Sequence, residues 1–270
     1  MLSNFHAHTN YCDGKNTCEE MVLAAIAQGL DAFGISEHSH TSVPDDTGNI
    51  TPENMPKYFA EMRALAECHA DKIDIFVGLE QDACGDLPTD GAEYIIGSTH
   101  FMFPQGEPRF VDGGADYQVE TVKTLCRNDW RIFAEEYFSR EADVAKITKC
   151  DIIGHFDLLT KNNEGNRLFD TTDRRYRALA VEAMAEILKD CNLFELNTGA
   201  AYRYGRSEFY PQTWLLQELL ARGGEVILSS DAHDTKSLLH GFTEAEEILR
   251  AVGFKTRKTL TRQGFVDVVL

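Results

Sequence analysis

The sequence predicts an α/β barrel of the TIM type with seven strands rather than eight; a doubly wound open sheet is the alternative. Three observations lead there. Seven short apolar runs recur along the 270 residues, amphipathic segments lie between them, and most of the histidines follow the runs directly.

The runs fall at 2–5, 32–35, 73–77, 94–96, 151–153, 193–196 and 226–228. Each is too short for a helix, rich in Ile, Val, Phe or Leu, and not cleanly alternating, which suits strands buried on both faces. Helical patterns occupy 19–28, 53–68, 130–148, 174–189, 214–221 and 243–251. In the first of these Met21, Val22, Ala25 and Ile26 repeat at helical spacing. Thr17 followed by Glu20 forms a capping box at its start. No linker, low-complexity tract or charge block divides the chain, so one domain over 1–270 is expected. The Gly-rich, polar segment 101–128 is expected to be a long loop over the barrel mouth.

Composition narrows the function. At 43% hydrophobic and 26% charged, the chain can bury a substantial core. With 26 Lys+Arg against 44 Asp+Glu it carries −18, which argues against nucleic acid or an anionic membrane as partner, since both need a basic footprint. No apolar stretch approaches the roughly 20 residues that cross a bilayer, and no signal pattern opens the chain, so a cytoplasmic location is expected. The seven cysteines are odd in number and form no Cys-x-x-Cys pair. Reduced thiols are expected rather than a disulfide framework or a Cys-based zinc site.

The chemistry is concentrated at the strand ends. Seven of the nine histidines follow predicted strands: His6, His8, His38, His40, His100, His155 and His233. Glu80 and Asp231 stand at equivalent places. In an α/β barrel the C-terminal ends of the strands converge on one mouth, where catalysis is found. The pairs 6/8, 38/40 and 231/233 are spaced i, i+2, which puts both members on one face of an extended strand. Imidazoles and carboxylates are the ligands that hold zinc, iron and manganese. His69, within a helical pattern, and His240, before Gly241, are expected to have no part in the cluster.

These residues resemble the PHP family, the polymerase and histidinol phosphatase phosphoesterases. The resemblance rests on Phe5-His6-Ala7-His8-Thr9, Cys12-Asp13-Gly14 and Ile35-Ser36-Glu37-His38-Ser39-His40. It continues through Gly78-Leu79-Glu80, Gly97-Ser98-Thr99-His100, Ile153-Gly154-His155-Phe156-Asp157 and Ser229-Ser230-Asp231-Ala232-His233. It implies a distorted (β/α)7 barrel and two or three divalent metal ions, Zn, Mn or Fe. By the same resemblance His6, His8, Glu80 and Asp231 hold a first metal, and Glu80 bridges to a second held with His100 and His155. Asp13, His38 and His233 hold a third, with Asp13 supplying an oxygen at a position that is His in some members and Asp in others.

The chain size, the absence of a polymerase and the long insert between Glu93 and Cys150 look most like the histidinol-phosphate phosphatase branch, which hydrolyses L-histidinol phosphate in histidine biosynthesis. The expected nucleophile is a water shared by two metals and made acidic by them. His40 is expected to bind phosphate or protonate the leaving group. Arg203 and Arg206, after the sixth run, are candidates for a phosphate clamp. Asp157 is expected to bind the substrate amine, and Tyr117 to close over it. Metals would reverse the local charge of an acidic mouth. Rival readings are a phosphoesterase for another phosphorylated metabolite or a nucleotide, an amidohydrolase-class enzyme, and a non-catalytic metal-binding protein. The oligomeric state is left open.

Overall fold

The structure is a computed structural model that describes residues 1–44 and 46–270. The chain runs β1 (Ser3–Asn4), α1 (Cys18–Ala27), β2 (Ala32–His38), α2 (Met55–Cys68), β3 (Asp74–Asp82) and β4 (Tyr94–Ser98). A small hairpin follows, β5 (Phe101–Met102) and β6 (Arg109–Phe110), and then α3 (Ala115–Leu125), α4 (Trp130–Glu141) and α5 (Val144–Thr148). Next come β7 (Ile152–Ile153), α6 (Arg174–Ile187), β8 (Leu193–Asn197), α7 (Gly199–Tyr204) and α8 (Thr213–Ala221). The chain finishes with β9 (Glu225–Ser229), α9 (Phe242–Val252), β10 (Thr256–Thr261) and β11 (Gly264–Val269).

All seven predicted runs are strands, and they pair in parallel in the order β1-β2-β3-β4-β7-β8-β9. Past their ends the sheet curls round until Ala7 pairs in parallel with Ala232. Two backbone bonds make that junction: His8 N–H donates to Ala232 O at 2.8 Å, and Ala232 N–H donates to His6 O at 3.1 Å. At the opposite end β10 joins β9 in parallel, and β11 folds back on β10 as an antiparallel hairpin. There Thr259 Oγ1 lies 2.7 Å from Ser3 Oγ, and Arg257 donates to Met1 O, so β10 spans the opening between β9 and β1. The result is a distorted seven-stranded barrel carrying a terminal hairpin.

The barrel interior is filled by a few large rings. Tyr94 crosses it to donate to Phe5 O at 2.6 Å, and its ring meets Phe5 edge-on at 5.8 Å between centroids. Gly34 and Gly78 make that crossing possible, because a Cβ at either would stand 2.3 or 2.2 Å from the Tyr94 ring or hydroxyl. Outside the barrel α2 buries Tyr58, Phe59 and Met62, and the Tyr58 hydroxyl reaches the carbonyls of Ile35 and Gly78. The capping box at α1 is present, with Thr17 and Glu20 each bonding the other's backbone.

Three expectations change. Segment 101–128 is a hairpin and a helix rather than a loop; α3 hides because it buries Gln118 and Thr121 along with Val122, leaving no apolar stripe in the sequence. The predicted helix at 130–148 is two helices, α4 and α5, parted at Ala142 and Asp143. The β10–β11 hairpin escapes notice because β10 is polar, Thr-Arg-Lys-Thr-Leu-Thr. The seven cysteines are free thiols, and among the described residues no helix is long and apolar enough to cross a membrane.

Gly78→Ala drives a methyl group into the buried Tyr94 ring. It is expected to cost about 1–3 kcal/mol of unfolding free energy in urea titration, the usual penalty of overpacking.

Candidate metal centre

The closing pair Ala7–Ala232 sets the site. Around it His6 and His8 on one strand end face Asp231 and His233 on the other, so the two i, i+2 pairs meet across the seam. His8 Nε2 lies 3.1 Å from Asp231 Oδ1 and His6 Nε2 lies 3.7 Å from it. Asp231 occupies the left-handed backbone region, φ 48°, at the turn that delivers these groups. From the neighbouring strands come His38 at the end of β2, Glu80 within β3, His100 beyond β4 and His155 beyond β7.

Glu80 is the hub. Its carboxylate is fully buried and lies 2.7 Å from His38 Nδ1, 2.9 Å from His155 Nε2, 3.3 Å from His6 Nε2, 3.4 Å from His100 Nε2 and 3.6 Å from His8 Nε2. Asp13 joins from the loop after β1, 3.2 Å from His233 Nε2 and 3.6 Å from His38 Nε2. All nine predicted ligands are therefore brought together. Among the described residues four overlapping groups hold donor atoms within 4.8 Å of one another: His6, His8 and Asp231; His38, Glu80 and His100; His8, Asp13, His38 and His233; and His8, Cys12 and Glu37. His8 falls in three of these groups and His38 in two, so the grouping is less cleanly divided than the family resemblance implies.

The donor set fits divalent metal ions. His6 Nε2 and His8 Nε2 are buried without a hydrogen-bond partner, although carboxylate oxygens stand close by. Nitrogens that approach carboxylates without bonding to them are the arrangement a cation between them resolves. The electrostatics agree. Burial opposes the charged form of Glu80, yet His38, His6 and His100 hold its carboxyl well below the usual range. Burial likewise opposes Asp231, and Arg203 and His6 hold it low. Burial also works against protonated His6, His38 and His100, but their carboxylate neighbours raise all three. His8, facing His38 and His233, is instead lowered to about 3, with burial the largest cause. The cavity floor thus demands positive charge.

A layer of hydrogen bonds orients these ligands. Glu195 accepts from His155 N–H, Ser229 and Asn197, and lies 2.8 Å from His6 Nδ1. Asp82 accepts from His100 N–H and lies 3.1 Å from His100 Nδ1. Glu37 accepts from Thr9 and Cys12, and Cys12 Sγ lies 3.5 Å from His8 Nδ1. Sequence reasoning missed all three carboxylates. The signal for Glu195 was a charge inside a buried run; for Asp82 it was the i, i+2 spacing from Glu80.

Above the cluster opens a cavity of about 280 Å³. Arg203, on α7, lines it and donates to Asp231 at 2.6 Å, with its Nη1 2.7 Å from His233 Nδ1. Lys161, unforeseen from the sequence, lines it too, donating to Asp112 and lying over the Tyr204 ring at 4.7 Å.

Four expected substrate contacts do not line this cavity. The β2 strand ends at His38, so the pleat does not carry to His40, which turns to Asp86 at 2.6 Å. Asp157 begins a 3-10 turn and is buried behind the wall, where Gln212 N–H donates to it and burial pushes its carboxyl up to about 7. Arg206 is a buried strut, donating to Thr160 O at 2.6 Å and to the Tyr210 hydroxyl. Tyr117 packs on Phe110 and accepts from its N–H at 3.3 Å. His69 caps α2 and His240 packs against Tyr202, both apart from the cluster as expected.

Comparison with known proteins bears on the family and the fold. Residues 4–199 match the PHP domain family. A Deinococcus radiodurans protein named "Probable histidinol-phosphatase" is 28% identical over 94% of this chain and 95% of its own length. A Schizosaccharomyces pombe protein of the same name is 24% identical over 84% of this chain and 79% of its own. The crystal structure of histidinol phosphate phosphatase from Lactococcus lactis, complexed with Zn, L-histidinol and phosphate, superposes with a TM-score of 0.73 at 21% identity, covering 98% of both chains.

Glu195→Gln weakens the carboxylate that holds His6 and the His155 backbone. Metal affinity, measured by titration of the stripped protein with Zn, is expected to fall about 10–100-fold while the fold is kept.

Proposed function

The chain belongs to the PHP domain family, and from that premise we propose that it is a metal-dependent phosphatase that hydrolyses L-histidinol phosphate to L-histidinol and phosphate. The observation that carries the reading is the convergence of nine candidate ligand side chains, five of them imidazoles within 3.6 Å of Glu80, beneath a cavity that also presents Arg203 and Lys161. The curated relatives named for this activity match along 95% and 79% of their own length, and the Lactococcus lactis structure holds Zn, L-histidinol and phosphate in the same fold. The whole of 1–270 is read as one phosphoesterase domain, at work in histidine biosynthesis in the cytoplasm.

In this reading His6, His8, Glu80 and Asp231 hold one ion, Glu80, His100 and His155 a second, and Asp13, His38 and His233 a third. When bound, Zn, Mn or Fe ions supply Lewis acidity toward phosphate oxygens and make a water nucleophilic at neutral pH. Glu80, reaching both the His6/His8 side and the His100/His155 side, keeps the two sides in one register. Glu195 and Asp82 fix the rings of His6 and His100 so that their outer nitrogens face the cluster.

Arg203 and Lys161 provide the fixed cations for the phosphate. The Arg203 guanidinium is anchored at both Nη atoms by Asp231 and His233, and its position therefore needs no reorganisation when charge builds up on the phosphate oxygens. Lys161 is anchored by Asp112. Phe110 and Tyr204 line the same cavity and offer ring faces to the substrate's imidazole.

Phosphate release from L-histidinol phosphate, set beside a panel of nucleotides and other phosphate monoesters, tests the proposal. Preferred turnover of L-histidinol phosphate, lost on chelation and regained with Zn or Mn, is expected. Preferred turnover of a nucleotide, or activity that survives complete removal of metal, would replace it.

A further inference from the structure

L-Histidinol phosphate carries a primary ammonium on the carbon next to the phosphorylated one. A site that accepts this substrate, as proposed above, gains selectivity from a carboxylate placed beside the phosphate and left without a cation of its own. Asp157, expected from the sequence to do this, does not line the cavity.

Six carboxylates do line it, and five are already matched. Glu80, Asp82 and Asp13 face imidazoles, Asp231 takes Arg203, and Asp112 takes Lys161. Asp46 is the sixth. Its Oδ2 accepts from Thr41 Oγ1 at 2.6 Å and Asn49 Nδ2 at 2.5 Å, both neutral donors. Among the described residues no Lys, Arg or His lies within ion-pair distance of it. The two bonds hold the side chain in place while leaving its negative charge uncompensated. Its loop also runs beside the metal cluster, for a Cβ on Gly48 would stand 3.8 Å from Asp13 Cβ.

We propose that Asp46, fixed by Thr41 and Asn49, is the counter-ion of the substrate ammonium and sets the preference for amino-alcohol phosphates over simple phosphate monoesters. The inference rests on the phosphatase reading. A hydrogen-bonded ion pair at the wall of a cavity is worth enough to change selectivity by about ten-fold or more.

The test compares kcat/KM for L-histidinol phosphate with that for its deaminated analogue, 3-(imidazol-4-yl)propyl phosphate, in wild-type enzyme and in Asp46→Asn and Asp46→Glu at equal metal content. Asp46→Asn is expected to lower the ratio about ten-fold or more, with Asp46→Glu restoring part of it. Calorimetry with L-histidinol alone, which needs no turnover, should show a matching rise in Kd for Asp46→Asn. An unchanged ratio and an unchanged Kd in Asp46→Asn overturn the assignment to Asp46 and leave the phosphatase reading standing. A wild-type enzyme that hydrolyses both esters equally well overturns this inference and leaves the phosphatase activity standing, whereas one that hydrolyses neither overturns the phosphatase reading and this inference with it.

Discussion

One carboxylate organises this molecule's functional end. Glu80 is buried within 3.6 Å of five imidazole rings that arrive from four different strand ends. An ionised carboxylate so far from water is stable only where positive charge meets it. Its charge in turn raises His6, His38 and His100, and the same demand is one that divalent cations meet. The same demand reconciles a net charge of −18 with the anionic phosphate ester proposed as substrate. The local balance at the mouth is set by what Glu80, Asp231 and Asp13 gather and by Arg203 and Lys161, with the acidic surface elsewhere left to water.

The frame serves that demand. Closure of the barrel at Ala7 and Ala232 is made by backbone bonds, so the ligand-bearing side chains on either side of it keep their direction whatever they bind. Tyr94, threaded past Gly34 and Gly78 to Phe5, fills the interior beneath. Glu195, Asp82 and Glu37 then hold the rings from behind. Rigid support below and an open cavity above divide the work between metal binding and substrate choice.

What the sequence revealed and what it hid follow from the same physics. The seven barrel strands were legible because strands buried on both faces are written as apolar runs, and the candidate metal ligands because they sit where those runs stop. The i, i+2 rule held for His6 with His8 and for Asp231 with His233, where backbone pairing continues past the strand. It failed at His40 and Asp157, where the chain leaves the extended form at once. Arg203 and Arg206 looked alike, yet three residues along one short helix and its exit separate a cavity cation from a buried strut. Lys161 and Asp46 lie in loops whose course nothing local dictates, and α3 buries polar groups that carry no periodic signal.

Metal stoichiometry of Glu80→Ala, measured on folded protein beside wild type, bears most directly on the account. Because Glu80 joins both sides of the cluster, the variant should retain at least two fewer ions per chain than wild type. Loss of a single ion, with the remainder bound at wild-type affinity, would contradict a centre built around Glu80.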